Sequence, residues 1–188
     1  MTLTASTMLE LGTQLPLFSL PDTTGKTVSP DDFKDNPALL IIFICNHCPF
    51  VKHILTEMVD LIEQYQQKSV AVIAINSNDV QEYPQDSPKA MKQLAADKHF
   101  TFPYLYDETQ NTAKAFSAAC TPDFFLFDKD RKLVYRGQLD DSRPSNGIPI
   151  TGKDLTEAID ATLQGKKVAP DQKPSIGCNI KWKPANQP

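Results

Sequence analysis

Between Ala38 and Ile44 the chain runs through seven apolar residues without a break and then stops at Cys45-Asn46-His47-Cys48-Pro49. A run this short, rich in Ile and apolar at both odd and even positions, reads as a strand buried on both faces. Directly after it Val51, Ile54, Leu55, Met58, Leu61, Ile62 and Tyr65 recur at helical spacing, while Lys52, Glu57, Asp60 and Glu63 fill the other face. An amphipathic helix is therefore expected from Phe50 to Lys68. A strand of this kind needs neighbours that cover both sides of its sheet, which narrows the chain to an α/β architecture.

The rest of the sequence repeats the theme. "SVAVIAI" (Ser69–Ile75) reads as a second buried strand, and "VQEYPQDSP" as a loop. Ser87-Pro88 opens a helix to about Lys98, with a capping serine and a proline at the first helical position, and turns Met91, Leu94 and Ala95 inward. "TFPYLYD" suggests a short strand and "ETQNTAKAFSA" a helix. "DFFLFD" and "KLVYRGQL" pair as a hairpin around Lys129-Asp130-Arg131, and a last helix runs from Asp154 to Leu163 and stops at Gly165. Ahead of all this, "PLFSLPDTTGKTVSPDDF" reads as a small N-terminal β-hairpin or edge strands around Asp22-Thr23-Thr24-Gly25. One domain over residues 1–165 is expected, followed by a tail, 166–188, packed on it. In that tail Ile176, Cys178, Ile180 and Trp182 alternate as a short strand would.

A net charge of -4 and a pI near 5.3 give no electrostatic footprint for nucleic acid or an anionic membrane surface. Met1–Leu20 lacks the basic cluster and apolar run of a secretory signal, and Ala38–Cys45 is too short to cross a bilayer, so a cytoplasmic location is expected. Four cysteines are too sparse for a secreted disulfide scaffold. In a reducing compartment a close pair points instead to catalysis or metal.

The pair Cys45 and Cys48 stands where a buried strand meets a helix. Two sulfurs at this spacing can close and reopen a small disulfide ring without moving the scaffold. Backbone N–H groups at a helix N-terminus carry partial positive charge and favour a thiolate, which is the reactive nucleophile. His47, between the two, can offer a hydrogen bond or a positive charge to a sulfur. A zinc site needs four ligands. The other candidates, Cys120, Cys178, His53 and His99, stand singly. Haem attachment needs histidine after the second cysteine, where Pro49 stands, so neither cofactor nor metal is expected.

With this motif after a buried strand, the chain resembles the thioredoxin superfamily, and its redoxin or peroxiredoxin-like (AhpC/TSA-type) branch more than thioredoxin itself. "CTPDFFLFD", Cys120–Asp128, is the second point of likeness. The resemblance implies a thioredoxin-like three-layer α/β/α sandwich with a central mixed β-sheet. It also implies a cis-proline at Pro122 beside the dithiol, and backbone groups of Thr121 that receive a substrate strand. The likeness runs from about Gly12 to Gln164. The closing "PSIGCNIKW" looks like the tail of a redoxin group whose physiological role the likeness does not supply. Ile44 stands where thioredoxin has tryptophan, and Leu39 where it has a buried acid. Aligning the peroxiredoxin P-x-x-x-T-x-x-C signature on Cys48 leaves Ile41 and Cys45 at the proline and threonine positions.

The expected activity is thiol–disulfide exchange on protein or small-molecule thiols and disulfides. Two placements of the attacking sulfur compete. The thioredoxin pattern makes Cys45 the attacker and Cys48 the resolving thiol, and is preferred; Pro49 favours a helix starting near Cys48, which puts that sulfur over the first turn. A peroxidase acting on hydroperoxides through Cys48 is an alternative, and would need a guanidinium such as Arg143, or Arg136, at the thiolate. A copper- or zinc-binding protein using the cysteine pair is an alternative of another class. Cys120 and Cys178 are additional redox candidates, each with inert packing as the plainer expectation. His53 and His99 are expected to be solvated.

Overall fold

The structure is a computed structural model that describes residues 3–187. Its centre is a five-stranded mixed sheet in the order β6-β5-β4-β8-β9. The strand β4 (Ala38–Phe43) lies parallel to β5 (Val70–Asn76), which lies parallel to β6 (Tyr104–Tyr106). On its other edge β4 pairs antiparallel with β8 (Asp123–Phe127), and β8 with β9 (Leu133–Gly137). The crossovers joining the parallel strands are the helices α1 (Pro49–Gln66) and α2 (Pro88–Asp97). Ser87 caps α2, its side chain accepting from Ala90 N–H at 3.4 Å, and Pro88 opens it.

The uninterrupted apolar run has the expected cause. Leu40 and Ile42 join Ile54, Leu55, Met58, Leu155 and Ile159 in one core, beneath α1 and α4 (Lys153–Leu163). Leu39, Ile41 and Phe43 face the opposite way and join Phe116, Phe125 and Phe127. Phe116 meets Phe43, Phe125 and Phe127 in edge-on contacts with centroids 5.3–6.0 Å apart, an arrangement aromatic quadrupoles favour. On that side lie the short helix α3 (Asn111–Ala115), through Ala113, and the 3-10 turn Pro30–Phe33, through Phe33. The expected helix over "ETQNTAKAFSA" shrinks to five residues because Gln110 takes a left-handed conformation and its side chain is used to hold the tail.

The N-terminal hairpin consists of β2 (Leu20–Pro21) and β3 (Thr27–Val28), turned by Asp22, whose carboxylate accepts from Thr24 and Lys26 N–H. A second, three-stranded antiparallel sheet was not legible in the sequence. It sets β10 (Ile176–Asn179) between β1 (Leu3–Ala5) and β7 (Cys120–Thr121). Among the described residues no helix is long and apolar enough to cross a membrane.

Candidate active site

The chain leaves the sheet after Phe43, with Ile44 N–H still bonded to Ile75 O at 3.0 Å, and enters α1 at Pro49. Cys48 is the residue before the helix, held extended at φ -64°, ψ 124° as a residue preceding proline prefers. Its carbonyl accepts the first helical bond, from Lys52 N–H at 2.9 Å, and its sulfur stands at the N-terminus of the helix. Cys45 and Cys48 lie within hydrogen-bonding reach of each other, and both are free thiols with almost no exposure, 1% and 0%.

Both sulfurs converge on Thr121. Cys45 Sγ is 3.4 Å from Thr121 Oγ1, and Cys48 Sγ is 3.2 Å from Thr121 O. The Thr121–Pro122 peptide bond is cis. The hydrogen bond from the Cys45 thiol pulls Cys48 down to about 5 against the effect of burial, with help from Cys178, Val51 N–H and Thr121. The same bond, together with burial and the nearby Asp86 carboxylate, raises Cys45 far above the ordinary thiol range.

Asp86 is the residue of this site that the sequence did not reveal. Fully buried, it accepts from the backbone N–H of Asn46 (2.8 Å) and His47 (3.2 Å), from His47 Nδ1 (2.6 Å) and from Asn78 Nδ2 (2.8 Å). Burial pushes its carboxyl up, but the bonds from His47, Asn78 and Asn46 outweigh this and hold it below the usual range. The carboxylate therefore clamps the loop between the two cysteines by its backbone. His47 is stacked on Tyr83, centroids 5.3 Å apart, and its Nε2 is buried with no hydrogen-bond partner. Asn46 is fixed in turn by Tyr104 Oη, which donates to its Oδ1 at 3.1 Å. The only sequence signal for Asp86 was an acid in a proline-rich loop, and nothing local ties it to residues forty positions earlier.

The other cysteines lie on either side of Thr121. Cys178, on β10, is the cross-strand partner of Thr121 and packs in the same core as Cys48; burial and the neighbouring Cys48 thiol push it up to about 12. Cys120 points its thiol at backbone carbonyls, Pro122 O at 3.8 Å and Ser175 O at 4.0 Å, and burial and Asp123 raise it well above the ordinary value.

The arginines are engaged elsewhere. Arg143 Nη1 donates to Asp140 O (2.6 Å) and Ser142 O (2.7 Å), and Nη2 to Gln138 Oε1, so its guanidinium orders its own loop. Arg136 is buried beside Asp123 at 3.6 Å, donates to Thr7 Oγ1 at 2.8 Å and lies over the Phe125 ring. His53 is not solvated as expected: its Nε2 meets Ser142 Oγ at 2.8 Å. The group of possible metal donors here is Cys45, His47 and Asp86, with ligand atoms within 4.8 Å of one another. It leaves Cys48 out, offers three donors where zinc takes four, and two of its members already satisfy each other.

A mixed sheet with the helices on these faces, and a thiol pair at the mouth of the first crossover helix, define a thioredoxin-like fold. The thioredoxin domain of a thiol-disulfide oxidoreductase from Bacteroides vulgatus shares that fold (TM-score 0.59, 16% identity, 72% of this chain and 91% of that one). The model of the AhpC/TSA family matches residues 11–136, and the chain belongs to that family. The thiol-disulfide oxidoreductase ResA of Bacillus thuringiensis subsp. konkukian (strain 97-27) is 25% identical over 126 residues, 67% of this chain and 68% of that protein. A far closer likeness is the crystal structure of an uncharacterized conserved protein from Geobacillus kaustophilus, 56% identical, with a TM-score of 0.96 over 98% of both chains.

Proposed function

We propose that this protein is a thiol–disulfide oxidoreductase that exchanges disulfides through Cys45 and Cys48. The observation that carries the reading is the placement of the pair: at the mouth of α1 the Cys45 and Cys48 sulfurs both reach Thr121, at 3.4 Å and 3.2 Å, beside the cis Thr121–Pro122 bond. Cys48, at the N-terminus of α1, is drawn down to about 5 by the adjacent Cys45 thiol, while Cys45 is pushed up. A thiolate beside a protonated partner is what an exchange reaction needs.

In this reading Cys48 attacks, the reverse of the preference taken from motif spacing. Its thiolate forms a bond to one sulfur of a substrate disulfide, and the other sulfur leaves as a thiolate. Cys45 then attacks Cys48 Sγ, closes the Cys45–Cys48 disulfide and releases the second substrate thiolate. The Cys45 proton goes with the departing group or to the His47 ring, a nitrogen of which lies within 4.8 Å of Cys45 Sγ. Asp86 positions that ring and the intervening backbone. The relatedness to ResA supports the same reaction class. The peroxidase reading lacks support from the arginines, whose described bonds go to Asp140, Ser142, Gln138, Thr7 and Ser117.

The test is turnover of insulin or a small model disulfide by the reduced protein, with thiol states trapped by alkylation. Wild type is expected to cycle and to accumulate a Cys45–Cys48 link. Cys48→Ser is expected to be inert, and Cys45→Ser to react with the substrate disulfide at Cys48 without forming that link. Slow, ordinary alkylation of both thiols at pH 7 without ring closure would remove the chemical basis of the reading.

A further inference from the structure

The thiol pair has a third neighbour delivered from the far end of the chain. β10 lies antiparallel to β7 with Cys178 opposite Thr121, the residue both site sulfurs already touch. The approach is too close for an ordinary residue at the preceding position. A Cβ on Gly177 would stand 2.0 Å from Thr121 O, 2.7 Å from its carbonyl carbon and 3.3 Å from Pro122 Cδ. Glycine therefore permits β10 to be pressed against the Thr121–Pro122 corner, and that contact seats Cys178 beside Cys48 in the same apolar core, 2% exposed. The tail is anchored on both sides of this point. Ser6 N–H donates to Ser175 O at 2.8 Å, Ile180 N–H to Ala119 O at 3.0 Å, and Lys181 N–H to Asn78 Oδ1 at 2.8 Å.

A buried cysteine alone would be inert packing. This one lies opposite Thr121, whose carbonyl oxygen Cys48 Sγ meets at 3.2 Å, and it packs with Cys48 in one core. We propose that Cys178 is a second resolving thiol for Cys48, so that the site works with three sulfurs and two alternative internal disulfides. The proposal rests on the exchange reading above.

The step is balanced within the protein. When Cys48 carries a substrate sulfur, Cys178 attacks Cys48 Sγ; the Cys48–Cys178 bond forms, the bond to the substrate breaks, and the substrate thiolate leaves with the proton Cys178 held. From the Cys45–Cys48 disulfide the same attack expels Cys45 as a thiol and changes no net oxidation state. The strand edge at Thr121, the residue both site sulfurs touch, is occupied by β10 itself. The tail therefore presents its own sulfur where an incoming chain would present one.

The experiment uses the full chain and its Cys45→Ser, Cys178→Ser and Cys45→Ser/Cys178→Ser variants, oxidised with glutathione disulfide, quenched by alkylation and mapped by peptide mass spectrometry. Cys45→Ser is expected to yield a Cys48–Cys178 linked peptide pair, and the double variant to keep glutathione on Cys48. A Cys45→Ala variant guards against a fold-specific effect of serine, and wild type quenched early is expected to contain both linked pairs. Persistent glutathione on Cys48 in Cys45→Ser and Cys45→Ala, with Cys45–Cys48 still forming in wild type and Cys178→Ser, would overturn the third-thiol proposal alone. Absence of any Cys45–Cys48 link in wild type and Cys178→Ser would overturn the exchange reading itself.

Discussion

Replacing Asp86 by asparagine tests the clamp under the thiol loop. The carboxylate accepts four hydrogen bonds, two from the backbone of Asn46 and His47, one from His47 Nδ1 and one from Asn78 Nδ2. An asparagine oxygen in place of Oδ1 keeps the two backbone bonds. The amide nitrogen in place of Oδ2 then faces two donors. His47 can answer by changing tautomer, but Asn78 cannot rotate freely because its own oxygen accepts from Lys181 N–H at 2.8 Å. One charged bond is lost and one buried donor is opposed, a cost of about 3 kcal/mol given ~1.5–3 kcal/mol for a hydrogen bond to a charged group. Because the folded Asp86 carboxyl is held below 3.8, its contribution is present in full above that value and is lost as the pH falls through the folded pKa. Urea unfolding of wild type and Asp86→Asn should therefore differ by about 3 kcal/mol at pH 7, with the gap closing as the solution is acidified below 3.8. Equal stability at pH 7, or a gap that does not narrow in acid, would refute the argument.

Three further outcomes follow from other parts of the site. The alkylation rate of reduced wild type should rise with a midpoint near pH 5 and lose that phase in Cys48→Ser, since the low value belongs to Cys48 and depends on the Cys45 bond. Gly177→Ala should cost about 1–3 kcal/mol, as overpacking does, because β10 must retreat from Thr121 O. In the same variant alkylation of Cys178 should quicken, both effects being read from urea midpoints and peptide mapping. Arg143→Ala should leave the thiol titration unchanged and lower stability by about 1 kcal/mol, because its donors serve its own loop; a shifted thiol titration would put its guanidinium back at the sulfur.

The legible parts of this protein were those written in local periodicity. The doubly buried strand read at Ala38–Ile44, the amphipathic α1 and the proline that opens it after Cys48 each carry their signal within a few residues, and the elements form within two residues of where the pattern puts them. The Thr121–Pro122 corner came from likeness, not from periodicity. Asp86 was illegible because a buried carboxylate bonded to a distant loop looks, in sequence, like any loop acid. β1 and the pairing of β10 were illegible for a related reason: a strand of three or four residues has no period to read, and its partner is fixed only when the tail returns to the Thr121 edge.

That return also bears on how the chemistry is reached. Cys45 and Cys48 are enclosed, and β10 is part of what encloses them. The strand is the middle one of its sheet but is held by short neighbours, β1 of three residues and β7 of two, so its local opening should cost less than that of the central sheet. Hydrogen exchange should accordingly show the amides of Gly177 and Cys178 opening well before those of Ile41 and Ile73 in the central sheet, and the alkylation rate of Cys48 should follow that local opening. Protection of β10 equal to that of β4 would mean that a substrate sulfur enters by another route, past His47 and Asn46, and that the tail strand is a fixed wall of the site.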